Sequence, residues 1–123
     1  MYFNMSGKDL PLISLIIPMH NTEEFVAECL DSVARQTYKN LEIIVVDDDS
    51  TDSSAKIVNS YADRLPNVIY IKTKNGNAAR TRRDGLAKAT ADLVCFVDAD
   101  DIIEEGYIER LYETMITTKT SIS

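Results

Sequence analysis

The chain has 123 residues, a formal charge of −7 and a pI near 4.6, with 45% hydrophobic and 27% charged residues. That length holds one domain or part of a larger one, and the composition belongs to a globular protein with a core, not a disordered tail. The acid excess argues against a nucleic-acid partner, which needs basic surface, and no apolar run approaches the ~20 residues of a membrane span. One histidine and two distant cysteines, Cys29 and Cys95, argue against a zinc site. The cysteines read as buried, reduced thiols of a cytoplasmic protein, with a single disulfide as the lesser alternative.

Residues 1–11 are polar and patternless and read as a flexible leader, so order is expected from Leu12. The run from Leu12 to Ile17, stopped by Pro18, suits a central parallel strand buried on both faces. Asn21 and Thr22 offer capping oxygens ahead of Glu23 and Glu24. Phe25, Val26, Cys29, Leu30 and Val33 then recur at three and four, the stripe of an amphipathic helix. The unit repeats: a strand over 41–46 ends in Asp47-Asp48-Asp49-Ser50, and Thr51 and Asp52 can cap a helix carrying Ile57, Val58 and Tyr61. Pro66-Asn67 breaks that helix ahead of a third strand over 68–71. A polar loop over 72–77 leads to a helix over 78–89, with Gly85 inside it as a weak point. A fourth strand over 93–97 ends in Asp98-Ala99-Asp100-Asp101. A last helix, from about Glu104 to Met115, turns Tyr107, Ile108, Leu111, Tyr112 and Met115 inward, and 117–123 reads as a cut or flexible end. Strand and helix in strict alternation predict an α/β fold with a mainly parallel sheet flanked by helices.

Ligands of such sheets sit beyond the carboxyl ends of the strands. Three of those ends carry chemistry: Pro18 to Asn21, Asp47 to Ser50 and Asp98 to Asp101. Two acidic clusters on one edge repel unless something positive lies between them, either a divalent metal or Arg80, Arg82 and Arg83. Hard oxygen ligands two residues apart on a turn suit Mg²⁺ or Mn²⁺, which keep positions open for phosphate. Aspartates also end strands and cap helices without any ligand, and for Asp47 to Ser50 alone that bland reading is favoured. The two clusters together favour function. His20 reads as a cleft-lining residue, and the tyrosines read as core.

Taken in order, these segments resemble the amino-terminal half of a family 2 glycosyltransferase with the Rossmann-like GT-A fold. The matching stretches are Ser14 to Asn21, Cys29 to Val33, Gln36-Thr37-Tyr38, Glu42 to Asp52 and Phe96 to Asp101. The resemblance implies a donor-binding subdomain over 12–116 that takes a nucleotide diphosphate sugar, commonly a UDP-sugar. Transfer to a saccharide or other hydroxyl acceptor would proceed with inversion. By resemblance, Pro18, His20 and Asn21 line the nucleotide pocket, and Asp48 reads the uracil edge. Arg82, three residues before Gly85, lies near base and phosphates; a shifted register would put Arg80 there instead. Asp98 and Asp100 match the Asp-x-Asp motif, with Asp98 on the ribose and both on the Mn²⁺ or Mg²⁺ that holds the diphosphate. The sequence departs from the family at His20, where an aromatic is usual, and at Asp49, where glycine or asparagine is usual.

Inversion needs a base for the acceptor hydroxyl, and no further carboxylate here has a motif for it. The base is therefore expected beyond Ser123, and the piece alone is expected to bind donor without efficient turnover. For the full-length protein the resemblance suggests a cytoplasmic site, including the inner face of the membrane. Two other readings stand beside it. A catalytically silent nucleotide-binding module differs only by what lies downstream. A response-regulator receiver domain has the right size, but a whole strand-helix unit precedes Asp47-Asp48 and too little chain follows Asp98.

Overall fold

The computed structural model describes residues 10–122, with side chains to residue 116. Four strands and four helices alternate: β1 (Ile13–Met19), α1 (Val26–Ala34), β2 (Leu41–Asp48), α2 (Ser54–Arg64), β3 (Val68–Thr73), α3 (Ala78–Lys88), β4 (Leu93–Phe96) and α4 (Tyr107–Ile122). All strand pairs are parallel, in the order β3-β2-β1-β4. Register runs from Ile13 opposite Leu41 to Met19 opposite Asp47, so β1 and β2 end side by side.

The two central strands explain the unbroken apolar runs, because both of their faces are covered. Ile13, Leu15, Ile17 and Met19 join Ile43 and Val45 on one face, in a core completed by α1, α2 and Ile108 of α4. Ile16, Ile44 and Val46 form a smaller core on the other face with Ile71, Ala89 and Val94. Here α3 crosses close to the sheet, and Gly85 is the reason it can. A Cβ at Gly85 would meet Ile16 Cγ2 at 2.5 Å and Val46 Cγ2 at 3.1 Å. The glycine that weakens the helical pattern is what the packing requires. Both neighbours are β-branched and fully buried, so they have little room to yield. Gly85→Ala is expected to destabilise the fold by about 1–3 kcal/mol, although alanine is the better helix former. Urea unfolding of the variant checks this, and equal or greater stability would contradict it.

Four details differ from the sequence expectation. Residues 1–9 of the expected leader lie outside the described residues, but Leu10 is buried in the larger core. Its carbonyl accepts from Asn40 Nδ2 at 2.8 Å and that of Pro11 accepts from the Tyr38 hydroxyl, so the packed chain begins before Leu12. Phe25, expected on the apolar stripe of α1, is 48% exposed, because it stands in the turn ahead of the helix. Helix α4 begins at Tyr107, after Glu104, and its backbone runs to Ile122, well past Met115. Ser123 of the expected end lies outside the described residues.

The candidate nucleotide site

The strand order reverses beside β1, and a cleft of about 470 Å³ opens there beyond the carboxyl ends of the strands. Its walls come from the four strand ends. Pro18 and Met19 end β1, and His20 and Thr22 follow it; Asp48 ends β2; Gly76 to Ala78, with Thr81 and Arg82, follow β3; and Asp98 to Asp100 follow β4.

Two segments at the mouth of the cleft cap each other. Asn21 adopts a left-handed φ of 50°, which asparagine tolerates, and its Oδ1 accepts from the amides of Thr51 at 2.8 Å and Asp52 at 3.3 Å. Ser50 Oγ accepts from the Asn21 amide, and Ser54 Oγ from that of Thr22. Asp52 accepts from the amides of Ser54 and Glu23, while Glu23 accepts from that of Ser53. Asn21, expected to cap α1, therefore serves the loop before α2, and Asp52 caps its own loop and that before α1. This satisfies orphan amides ahead of α1 and α2 alike and fixes the ends of β1 and β2 together. Asn21 thus acts across the loops and does not line the cleft.

Asp48 is 8% exposed and embraced by the turn after β3. One carboxylate oxygen accepts from the amides of Asn75 at 2.6 Å and Gly76 at 3.2 Å, the other from that of Asn77 at 3.2 Å. These bonds, that of Asn75 foremost, hold the Asp48 carboxyl below the usual aspartate range. The backbone carbonyl of Asp48 accepts from His20 Nδ1 at 2.6 Å. A carbonyl cannot donate, so Nδ1 carries a proton, and Nε2 is the acceptor in the tautomer this contact selects. Asp47 plays a different part. It is fully buried, accepts from the Ser50 amide and from the Tyr70 hydroxyl, and raises the Tyr70 pKa, after the larger effect of burial.

The last wall hangs on α1. Gln36 Oε1 accepts from the Ile108 amide at 2.9 Å, its amide nitrogen donates to the carbonyls of Ser32 and Glu104, and Ser32 Oγ accepts from the Ile103 amide. Those bonds anchor the segment after β4, in which Ala99 is buried while Asp98, Asp100 and Asp101 are exposed. Their carboxylate oxygens lie within 4.8 Å of one another. Three exposed oxygen donors on one turn are the chemistry a hard divalent ion takes, and Asp101 stands with the Asp-x-Asp pair in that group. The charge also reaches beneath the turn: burial first, then Asp101, Asp100 and Asp98, push the Cys29 thiol up to about 12. Both cysteines are free.

Of the expected site residues, Pro18, His20, Asp48, Arg82, Asp98 and Asp100 converge on the cleft. Arg80 and Arg83 are absent from its walls, which favours the Arg82 register. Thr22, Thr81 and the turn 75–77 carry no signal as cleft residues in the sequence, because only the β3–β2 pairing brings the turn onto Asp48.

A cleft at the switch point of a parallel sheet, lined by an acidic turn and an arginine, lies where open α/β folds hold their ligands. The model of glycosyl transferase family 2 matches residues 14–123, and the chain belongs to that family. It is 39% identical to glycosyltransferase GlyA of Streptococcus pneumoniae over 111 residues, covering 90% of this chain and 16% of GlyA. The structure of S. aureus TarS 1-349 in complex with UDP-GlcNAc superposes with a TM-score of 0.75 at 33% identity, over 82% of this chain and 30% of that one. The mannosyltransferase PcManGT from Pyrobaculum calidifontis, in complex with GDP-Man and Mn²⁺, gives 0.69 at 28% identity, over 76% and 29%. The chain therefore spans well under half the length of these relatives.

Proposed function

We propose that this chain is the donor-binding portion of an inverting, metal-dependent glycosyltransferase that takes a sugar from UDP and passes it to a saccharide or other hydroxyl acceptor. The observation that carries the reading is the convergence of Asp48, Arg82, Asp98 and Asp100 on one cleft. The TarS complex with UDP-GlcNAc supports a uridine donor, and the Mn²⁺ in the PcManGT complex supports a divalent ion. Asp98 and Asp100, joined by Asp101, would hold that ion, whose chemistry is to neutralise the diphosphate as it leaves. Asp98 would also meet the ribose. Asp48 keeps acceptor capacity beyond its three amides, since a carboxylate has about four lone-pair sites, and presents it to the uracil N3–H. His20 places its ring at the β1 side of the base, and Asn21 holds that loop in place.

The cleft carboxylates are already engaged by amides or suited to the metal. The base for the acceptor hydroxyl is accordingly assigned to chain outside residues 1–123. No helix among the described residues is long and apolar enough to cross a membrane. The full-length protein is proposed to work in the cytoplasm, where nucleotide sugars are available, including at the inner membrane face.

Arginine substitution tests the geometry. Arg82→Ala should weaken UDP binding by roughly tenfold or more, the size of one charge-assisted hydrogen bond. Arg80→Ala and Arg83→Ala should change it little. Calorimetric titration of the three variants checks the order, and a larger loss at Arg80 would move the assignment to that residue.

A further inference from the structure

Thr22 lines the cleft, yet the crossed caps leave its side chain unused. Its amide donates to Ser54 Oγ at 2.8 Å, and its carbonyl accepts from the amides of Phe25 and Val26, both at 2.9 Å. The hydroxyl makes no such bond: Thr22 Oγ1 is buried and has no hydrogen-bond partner among the described residues. A threonine at the start of a helix ordinarily spends that oxygen on a cap, but here the Glu23 amide goes to Asp52 and the next turn closes on the Thr22 carbonyl. Buried hydroxyls are almost always paired, so an orphan at the wall of a binding cleft calls for a partner.

We infer that the Thr22 hydroxyl is a donor-binding group, completed by a hydrogen bond to the bound nucleotide diphosphate. Rotation about the single Cα–Cβ bond redirects the oxygen without disturbing the backbone bonds that hold the residue. Its place in the sheet order favours the middle of the ligand. Thr22 follows β1, which lies between Asp48 at the end of β2 and Asp98 and Asp100 beyond β4. The inference rests on the donor reading above, and it adds a hydroxyl to the carboxylates, arginine and imidazole which that reading names.

The test is calorimetric titration of UDP, with Mn²⁺ present, into the wild-type chain, Thr22→Val and Thr22→Ser. Valine keeps the shape and removes only the hydroxyl; serine keeps the hydroxyl. Thr22→Val is expected to weaken UDP roughly three- to tenfold, and Thr22→Ser to restore most of the loss. Thermal unfolding without nucleotide is expected to show Thr22→Val at least as stable as wild type, because the substitution deletes an unpaired polar atom. Equal UDP affinity in wild type and Thr22→Val overturns the role of Thr22 while leaving the donor reading standing. Failure of the wild-type chain to bind UDP overturns both. Weaker binding in a Thr22→Val chain that is also less stable, and that serine does not rescue, would mark Thr22 as a packing residue.

Discussion

Replacing Asp100 with asparagine should remove most of the coupling between metal and nucleotide while leaving the fold intact. Asp98, Asp100 and Asp101 are exposed on one turn, and the exchange is isosteric, so nothing in the core has to move. On the proposed reading few protein carboxylates would face the ion, and the diphosphate would supply the further anionic oxygens. Mn²⁺ alone is therefore expected to bind weakly, and Mn²⁺ with UDP far more tightly. Linkage requires the ion to raise UDP affinity by the factor by which UDP raises ion affinity, in the roughly 5–150-fold range usual for coupled sites. In Asp100→Asn that factor should fall towards one. Titrations of UDP with and without Mn²⁺, on both chains, measure it directly. An acidic turn that only ends a strand would give no coupling in either chain.

Asp48→Asn should produce the second large effect, on stability as well as binding. The carboxylate accepts from three backbone amides, and the substitution aims an NH₂ group at part of that turn. Loss of charge-assisted bonds at a buried position costs about 2–4 kcal/mol. UDP affinity should fall as well, because the group proposed to read the base is gone. The pH dependence has a definite sign. The folded-state pKa of Asp48 is lowered, chiefly by the Asn75 amide, from an ordinary value of 3.8. Its stabilisation is then complete above about pH 4–5 and is lost as pH falls through the lower folded value. The stability gap between wild type and Asp48→Asn should therefore be flat near neutrality and narrow below pH 4. A gap that widened on acidification would contradict the hydrogen-bonded carboxylate.

Strand positions were legible because β1 and β2 are covered on both faces, which leaves continuous apolar runs such as Ile13 to Ile17. Helix faces were legible for the same reason wherever the stripe reaches the core, as at Val26, Cys29, Leu30 and Val33. What escaped the sequence depends on contacts between distant segments. Phe25 has the right spacing for the stripe but falls one residue before the helix, where the geometry differs. Asn21 and Asp52 look like local caps, and only parallel register, with Met19 opposite Asp47, brings each onto the other's loop. Gly85 reads as a helix defect until Ile16 and Val46 are placed beneath it. At the site, charge made Asp48, Asp98 and Asp100 conspicuous. A threonine hydroxyl carries no such signal, and Thr22 becomes notable only when its neighbours' hydrogen bonds are counted.

The central claim is that the cleft holds a nucleotide diphosphate with the base at Asp48 and the phosphates at the acidic turn. One calorimetric series tests it most directly: UDP, CDP, GDP and ADP titrated in turn into the wild-type chain with Mn²⁺ present. Neutral cytosine and adenine present a ring acceptor where uracil presents the N3–H that Asp48 is proposed to accept. Guanine has an N1–H donor and is set apart by the larger size of its two-ring base. Saturable one-to-one binding is expected, with UDP the tightest of the four. Equal affinities would contradict the role of Asp48, and no saturable binding of any of them would contradict the donor site itself.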